Sequence, residues 1–406
     1  MKVCFVTFEY PPFVLGGAGV YALHITKELS NLGHEVHVIS PRIEHSDKLS
    51  IENNVFVHRV PVILKPFCTT PSFWLSMAKE YVSLRKWAGG FDIVHSNGVS
   101  DLSLIGLVVR EPRIVTVHHL AQLVAWQVSP LQRFFDLSGE TGLSPFIERI
   151  VISRANKIIS VSNFTKDSLV SVYGIDASKI EVVPQGIDLA EYSLKEDEIE
   201  VFKSAIGLNN DTTFLFVGRL GDPRKNLLLL LRAFKIIRKN LKPAKLLLVG
   251  SDDKSKVKEE VKSLGIDKDI TILGYVDDTV LGKCYAACDV VVSTSLLEGF
   301  GLVMLEGMAA GKPIIALRRG AACELVEHGL NGLFVNNQDP QELAAAMTFF
   351  VDHPDAGARM GRISREKASR DFSWRKSAEL TDRIYKLTLD KAQSSGHENV
   401  HNQRLL

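Results

Sequence analysis

The stretch EGFGLVMLE, residues 298–306, carries the strongest signal for both the fold and the chemistry of this chain. It follows the apolar run at 289–293, which predicts a buried strand, and it predicts a helix that opens near Phe300. Gly299 and Gly301 let the backbone approach a ligand closely. The free N–H groups and the positive dipole of the helix start suit a diphosphate. The stretch therefore predicts a phosphate-binding site at the end of a strand.

Two glutamates frame this predicted helix start. Glu298 lies before the helix, from where a carboxylate can reach sugar hydroxyls, and Glu306 lies more than one turn inside it, from where a carboxylate can accept two ribose hydroxyls. A helix-start charge and a solvated side chain are the plain alternatives, but Gly307 and Gly311 are costly in a helix unless close packing needs them. A glycosidase carboxylate pair is weaker, because that chemistry needs no phosphate-binding helix start.

Strand and helix patterns alternate on both sides of this stretch, which predicts parallel α/β layers. The expected strands of the first half are 3–7, 35–40, 93–95, 114–117, 158–161 and 180–183, with a helix at 20–32. After a charged helical crossing at 193–207, strands are expected at 214–217, 245–249, 270–273, 289–293, 313–316 and 333–335. The repeated pattern predicts two Rossmann-like, doubly wound domains rather than a short-period repeat.

The expected domains are 1–190 and 191–372, with a C-terminal helix at 373–390 that returns to the first domain and a polar, disordered tail at 393–406. Open α/β sheets bind ligands beyond the carboxyl ends of their strands. Two such domains facing each other predict an interdomain cleft, with the chemistry in loops that follow strands.

Composition excludes several classes of protein. The 406 residues are 46% hydrophobic and 23% charged with a formal net charge of +1, so the overall balance does not indicate nucleic-acid binding. Five scattered cysteines without a CxxC pair predict a reducing cytoplasm. No apolar run approaches the ~20 residues that span a bilayer. We expect no metal site and no cofactor, because basic side chains and a helix dipole can neutralise a diphosphate without an ion.

The glutamate spacing around Gly-Phe-Gly resembles the signature of glycosyltransferase family 4, retaining enzymes of GT-B fold. Further motifs match in order over about residues 1–375: 16–19, 33–36, 92–95, 116–118, 184–188, 217–220 with 225–226, 273–276 and 329–332. Any one of these motifs is weak, but their order and spacing together are specific. Two departures stand out: Gln185 replaces the usual Asn, and His119 stands where Asp or Gly is common.

The resemblance implies roles for individual residues. Arg219 and Lys225 would bind the donor diphosphate, a charge that grows as the nucleotide leaves. Gly17 would contact the donor phosphate and the acceptor, and His118 the transferred sugar. The implied catalytic residues are Glu298, His118 and Arg219, and the implied donor-binding residues are Gly17, Arg219, Lys225, Glu298, Phe300, Gly301, Leu302 and Glu306.

Each assignment has a plainer alternative. Arg219 and Lys225 are also consistent with a solvated charge run, and His118 with a structural histidine beside His119 as the sugar contact. Gly17 is also consistent with a flexible turn; a nicotinamide site is disfavoured because the glycine spacing is not GxGxxG.

The function implied is transfer of a hexose from a nucleotide-sugar donor to a glycan, a glycolipid or other lipid-linked acceptor, or a small molecule. A nucleotide-sugar epimerase, which needs no acceptor, and a non-catalytic nucleotide-sugar binding protein are the alternatives. Residues 64–87 mix aromatic and basic side chains, including Phe67, Trp74 and Lys79. This mixture predicts either peripheral contact with an anionic membrane face or a helix packed on its own domain.

Overall fold

The chain forms two compact units in a computed structural model that describes residues 1–14, 16–43, 46–65, 69–105, 109, 111–126, 144–208, 211–240, 242–251 and 254–403. The first unit comprises Met1–Gly186 and Trp374–Leu406, and the second comprises Ile187–Ser373. The division therefore lies slightly before the expected boundary at residue 190, and the chain rejoins the first unit at Trp374.

An eight-stranded sheet forms the centre of the first unit. Its strands are β1 (Lys2–Thr7), β2 (Glu35–Arg42), β3 (Leu49–Glu52), β4 (Val55–Pro61), β5 (Ile93–Asn97), β6 (Arg113–Val117), β7 (Lys157–Ser160) and β8 (Ile180–Val182). Their order is β3-β4-β2-β1-β5-β6-β7-β8. Only β3 is antiparallel to its neighbour among these described strands. Strands β3 and β4 were not expected from the sequence; the chain reverses between them at Asn53 and Asn54, which adopt left-handed backbone angles.

Helices cover this sheet. They are α1 (Gly17–Asn31), α2 (Thr69–Trp87), α3 (Leu102–Ile105), α4 (Ala121–Trp126), α5 (Ser144–Ser153), α6 (Asn163–Tyr173) and the C-terminal helix, which we number α15 (Trp374–Gln403). Helix α1 begins at Gly17 and not at the expected residue 20, because Gly17 and Gly19 fit into its first turn. Helix α15 continues to Gln403, so the described part of the expected disordered tail is helical; the stretch contains no proline that would end the helix.

The second unit repeats the plan on a six-stranded, fully parallel sheet. Its strands are β9 (Thr212–Val217), β10 (Ala244–Val249), β11 (Ile270–Gly274), β12 (Val290–Ser293), β13 (Ile314–Leu317) and β14 (Gly332–Val335), in the order β11-β10-β9-β12-β13-β14. Its helices are α7 (Glu196–Ala205), α8 (Leu227–Lys239), α9 (Lys254–Leu264), α10 (Asp278–Ala287), α11 (Leu302–Ala309), α12 (Ala322–Leu325), α13 (Pro340–Asp352) and α14 (Pro354–Asp371).

The strand orders place the candidate sites. Each sheet reverses its winding beside its first strand, between β1 and β5 in the first unit and between β9 and β12 in the second. Such a switch point opens a crevice at the carboxyl ends of the strands, where doubly wound folds bind ligands. Buried apolar side chains fill both strands of each switch point, for example Phe5 on β1 and Phe214 on β9. The loops that follow these strands therefore stand on rigid supports.

Candidate active site

Helix α11 begins with its N-terminal N–H groups open. Gly301 is the N-cap residue with a left-handed φ of 99°, and no side chain caps the helix within the described part of the chain. A Cβ at Gly301 would overlap Met304 Cε. The N–H groups of Leu302 and Val303 have no intrahelical acceptor, since they lie in the first turn. This start can bind an anion through its backbone and its dipole.

Glu298 precedes this helix start and is paired with Lys225. The Lys225 Nζ donates to Glu298 Oε1 at 2.6 Å, and the two side chains are 21% and 19% exposed. The backbone of Lys225 is fixed from the same side, because its carbonyl accepts from the Thr294 hydroxyl at 2.7 Å. The loops after β9 and β12 therefore bring together two residues that the sequence separates by 73 positions.

Arg219 follows β9 and is held by Asp222. The Arg219 Nη2 lies 3.0 Å from Asp222 Oδ2, and Arg224 Nη2 lies 2.8 Å from the same oxygen. Burial alone would raise the pKa of Asp222, but Arg224 and Arg219 together hold it below its usual value. Asp222 thus stays ionised and limits the positions of the Arg219 guanidinium, whose side chain remains 47% exposed. Asp222 was not among the residues predicted from the sequence.

Glu306 lies on α11 and is bonded to Tyr285. The Tyr285 hydroxyl donates to Glu306 Oε2 at 2.6 Å. Burial, and secondarily the neighbouring carboxylates of Asp278 and Glu191, raises the pKa of Glu306 to about 7. Phe300, by contrast, is 7% exposed and its ring packs on Phe372, so only its backbone remains for a ligand.

The glycines after β1 build a second open helix start in the first unit. Gly16 is the N-cap residue of α1, and no described side chain caps the helix. The Gly16 N–H donates to Glu9 Oε2 at 2.9 Å. A Cβ at Gly19 would lie 2.8 Å from Val14 Cγ1, so only glycine fits there. Gly17, the first residue of the helix, is exposed with its N–H at the open end.

His118 follows β6 and is bonded by both ring nitrogens. The Asn97 Nδ2 donates to the carbonyl of Ala18 at 2.9 Å, which leaves Asn97 Oδ1 to accept from His118 Nε2 at 2.6 Å. Nδ1 of His118 is then the acceptor for the Gln185 amide at 3.0 Å. Burial and the neighbouring His119 lower the pKa of His118 to about 3. The ring is therefore neutral, with its proton on Nε2.

The predicted residues thus lie in two groups. Glu298, Lys225, Arg219 and Glu306 follow strands or helix starts of the second unit, and Gly17 and His118 do so in the first. Asn97 and Tyr285 were not predicted. Asn97 is the last residue of a strand, a position from which a ligand contact could have been predicted. Tyr285 lies within an apolar helix pattern, which gave no indication of a functional role.

Neither a metal-binding cluster nor a membrane-spanning helix lies in the part of the chain that the structure describes. In that part of the chain, no group of three or more His, Cys, Asp or Glu side chains could hold a metal ion. No helix there is long and apolar enough to cross a membrane. Helix α2 buries Phe73, Met77 and Tyr81 against its own sheet but exposes Leu75 and Trp87; Phe67 lies outside the described residues.

Two family profiles match successive halves of the chain. Residues 15–191 match the profile described as Glycosyltransferase Family 4, and residues 198–367 match the profile described as Glycosyl transferases group 1. The first profile covers the first unit from residue 15 to its boundary but not its returning C-terminal segment, and the second profile covers most of the second unit. Their descriptions identify the chain as a glycosyltransferase, and the two doubly wound sheets and the helix-start anion site agree with that class.

Relatives that align over nearly the whole chain are also named as glycosyltransferases. The chain is 28% identical to an uncharacterized glycosyltransferase, MJ1607, of Methanocaldococcus jannaschii, over 96% of this chain and 99% of the relative. It is 27% identical to D-inositol 3-phosphate glycosyltransferase of Pseudarthrobacter chlorophenolicus, over 93% and 91%. It is also 27% identical to alpha-maltose-1-phosphate synthase of Mycolicibacterium smegmatis, over 95% and 99%. The chain belongs to the family 4 type of glycosyltransferases.

Solved structures share the fold. Sucrose-phosphate synthase of Thermosynechococcus elongatus superposes with a TM-score of 0.80 at 21% identity, over 96% of this chain and 99% of that one. Anabaena Alr3699/HepE, solved in complex with UDP and glucose, gives a TM-score of 0.76 at 22% identity, over 95% and 99%. The fold is therefore GT-B, as the sequence predicted, and the expectation of a glycosyltransferase is confirmed.

Proposed function

We propose that this glycosyltransferase uses a nucleoside-diphosphate sugar as its donor and retains the configuration of the anomeric carbon. The observation that carries the donor class is the group of Lys225, Glu298 and the open start of α11 at one switch point. This group offers a cation and free N–H groups to phosphate, with a carboxylate beside them for sugar hydroxyls.

The diphosphate is the part of the donor that gains charge during transfer. The ammonium of Lys225 and the N–H groups of Leu302 and Val303 suit the bound diphosphate. Arg219 suits the charge that appears as the nucleotide leaves, because its guanidinium is exposed and oriented by Asp222. A preorganised cation of this kind stabilises the transition state more than the ground state.

The two glutamates divide the rest of the donor between them. Glu298 is assigned to hydroxyls of the transferred sugar, since it precedes the helix start beside Lys225. Glu306 is assigned to the ribose, since its carboxylate lies further along α11. This carboxylate already accepts a hydrogen bond from one hydroxyl group, that of Tyr285. When a donor binds, its phosphate competes with Glu298 for Lys225.

The first unit supplies contacts to the donor as well as to the acceptor in this proposal. Gly17 contacts phosphate through its open N–H, and His118 or His119 contacts the sugar. A neutral His118 with both nitrogens engaged is unsuited to act as a general acid or base. The sequence offers no evident covalent nucleophile, so retention fits a same-face mechanism. In such a mechanism, a leaving diphosphate oxygen takes the acceptor proton as the new glycosidic bond forms.

The donor and anomer can be tested in one assay. Purified protein is incubated with UDP-, ADP- and GDP-hexoses and with candidate acceptors, and the products are followed by NMR. UDP-glucose is tested first, since HepE was solved with UDP and glucose. We expect nucleoside diphosphate release only with an acceptor, and a product with the donor's anomeric configuration. Inversion would overturn the retaining assignment, and sugar conversion without acceptor would favour an epimerase.

We also propose that the enzyme works in a reducing cytoplasm and contacts the face of an anionic membrane. Free thiols at Cys4, Cys284, Cys288 and Cys323 support the compartment. The membrane contact is supported by the outer surface of α2, where Leu75, Val82 and Trp87 are 66%, 42% and 70% exposed. Lys79 and Lys86 are exposed on the same helix, and such a mixture suits anionic headgroups. A lipid-linked acceptor would fit this location.

A further inference from the structure

Tyr285 is a fully buried tyrosine whose hydroxyl contacts a residue assigned to the donor. Its side chain is 0% exposed on α10. The hydroxyl lies 2.6 Å from Glu306 Oε2 and 3.2 Å from the carbonyl of Val303. A hydroxyl has one proton to donate, and the shorter contact to a carboxylate is the stronger one. The Glu306 carboxylate is therefore fixed by one of its two oxygens.

We propose that Tyr285 is a positioning residue for nucleotide recognition, because it fixes Glu306 Oε2 and leaves the other carboxylate oxygen for the ribose hydroxyls of the donor. This inference rests on the proposed ribose role of Glu306. A carboxylate with one oxygen fixed has already lost its rotational freedom, so less entropy is lost when the ribose binds. Removing the hydroxyl should therefore weaken ribose recognition without touching the nucleotide directly.

The groups around Glu306 give this contact a second effect. Asp278 on α10 and Glu191 in the turn at Leu189–Tyr192 add negative charge, and Lys225 adds positive charge. Tyr192 of the same turn packs edge-on against the Tyr285 ring at 5.7 Å. Burial raises the pKa of Glu306 to about 7, while the Tyr285 hydrogen bond lowers it. The hydroxyl thus favours the ionised carboxylate, which is the better acceptor for two hydroxyls.

Nucleotide affinity should depend on pH through the Glu306 carboxylate. Nucleotide affinity should be highest above the pKa of Glu306 and should weaken as pH falls through about 7. Loss of the Tyr285 hydroxyl should raise that pKa, so the same weakening should begin at higher pH. Glu306→Gln cannot titrate at this position and reports the pH dependence that the phosphate itself contributes.

Calorimetry with UDP and 2′-deoxy-UDP tests the proposal. Tyr285→Phe keeps the buried ring and should weaken UDP binding about tenfold near neutral pH, because the Glu306 carboxylate is no longer held in place and is more often protonated at that pH. It should also lower the preference for UDP over 2′-deoxy-UDP. The pH midpoint at which UDP affinity weakens should move upward. In Glu306→Gln, the added Tyr285→Phe change should have a much smaller effect, as a double-mutant cycle measures.

The chain contains a matched control. Tyr173 of the first unit also donates its hydroxyl to a buried carboxylate, Glu148, whose pKa burial likewise raises to about 7. Tyr173→Phe should leave UDP affinity, ribose preference and pH midpoint unchanged. If Tyr285→Phe matched the wild type in all three, Tyr285 would be a packing residue only. Failure of the wild type to bind UDP, ADP or GDP would instead contradict the proposed function.

Discussion

Arg219 and Asp222 show how a buried carboxylate can aim an exposed cation. Asp222 is 9% exposed in its side chain and is bonded by Arg224 as well, so it is a fixed point for the Arg219 guanidinium. Lys225, by contrast, is bound to Glu298, a residue assigned to the sugar. Of the two predicted diphosphate ligands, Arg219 is therefore the one preorganised for the charge that develops during the reaction, whereas Lys225 must exchange Glu298 for phosphate.

Replacing Arg219 tests this difference between ground state and transition state. We expect Arg219→Ala to lower kcat by about 10²–10³, because one preorganised donor to developing charge is lost. KM for the donor should change less. Arg359→Ala, which removes an exposed arginine of α14, is the control for net charge. A large rise in KM with unchanged kcat would show that Arg219 only binds the ground state.

His118 should not titrate in the range where the enzyme works. Its pKa is held at about 3 by burial and by His119, so the ring is neutral between about pH 5 and 8. The ratio of kcat/KM between wild type and His118→Gln should therefore stay constant over that range. Asn97→Asp places a carboxylate against Nε2 and should raise the pKa, so that its own ratio to wild type becomes pH-dependent. A wild-type to His118→Gln ratio that falls with a midpoint near pH 6.5 would contradict the neutral assignment.

At the scale of elements, the start of α11 depends on one backbone conformation. Gly301 has a φ of 99°, which other residues adopt only under strain, and a Cβ there would overlap Met304. We expect Gly301→Ala to lower the free energy of unfolding by about 1–3 kcal/mol and to weaken nucleoside diphosphate binding. Urea denaturation and calorimetry measure the two effects.

Gly16 provides the comparison for this substitution. It occupies the same N-cap position in α1, but its φ of −175° is extended and no atom lies within 4 Å of a Cβ built on it. Gly16→Ala should therefore cost much less stability than Gly301→Ala. Equal losses for the two variants would show that backbone conformation does not explain the requirement for glycine.

The outer surface of α2 gives a prediction about membranes. We expect the protein to co-sediment with anionic vesicles at low salt, and we expect Lys79→Glu with Lys86→Glu to abolish most of that binding. Lys258→Glu on α9 alters an exposed lysine of the other unit and should have little effect. Wild-type protein that stays in solution at low salt would remove the membrane proposal.

Local sequence patterns predicted helices and strands better than they predicted side-chain contacts between them. The strands at both switch points follow from short apolar runs, and the glycines after β12 indicated a helix start. Gly17 itself was expected in a loop and lies in the first turn of α1, since N-terminal helix positions and glycine loops look alike in sequence. Helices α13 and α14 were not foreseen. Asn97 and Tyr285 depend on residues from other elements, and no local pattern contains that information.

At the scale of the whole molecule, the two units have separate hydrophobic cores. The second unit's core includes Phe214 and Leu230, and the first unit's includes Phe5 and Tyr385, the latter from the returning helix α15. Apart from Gly17, the residues assigned to the donor nucleotide lie in the second unit. Nucleotide binding should therefore stabilise the second unit, by about 2.7 kcal/mol at a ligand concentration of 100 Kd.

Calorimetric titration of a free nucleoside diphosphate into three proteins tests the central claim most directly. The account predicts that Glu298→Ala binds at least as tightly as wild type while transfer activity is lost. The diphosphate carries no sugar for Glu298 to contact, and its phosphate no longer competes with Glu298 for Lys225. It predicts that Glu306→Ala, which lacks the ribose contact, binds much more weakly. A folded Glu298→Ala protein that no longer binds nucleoside diphosphate, beside a Glu306→Ala protein that still does, would contradict the assignment of the site.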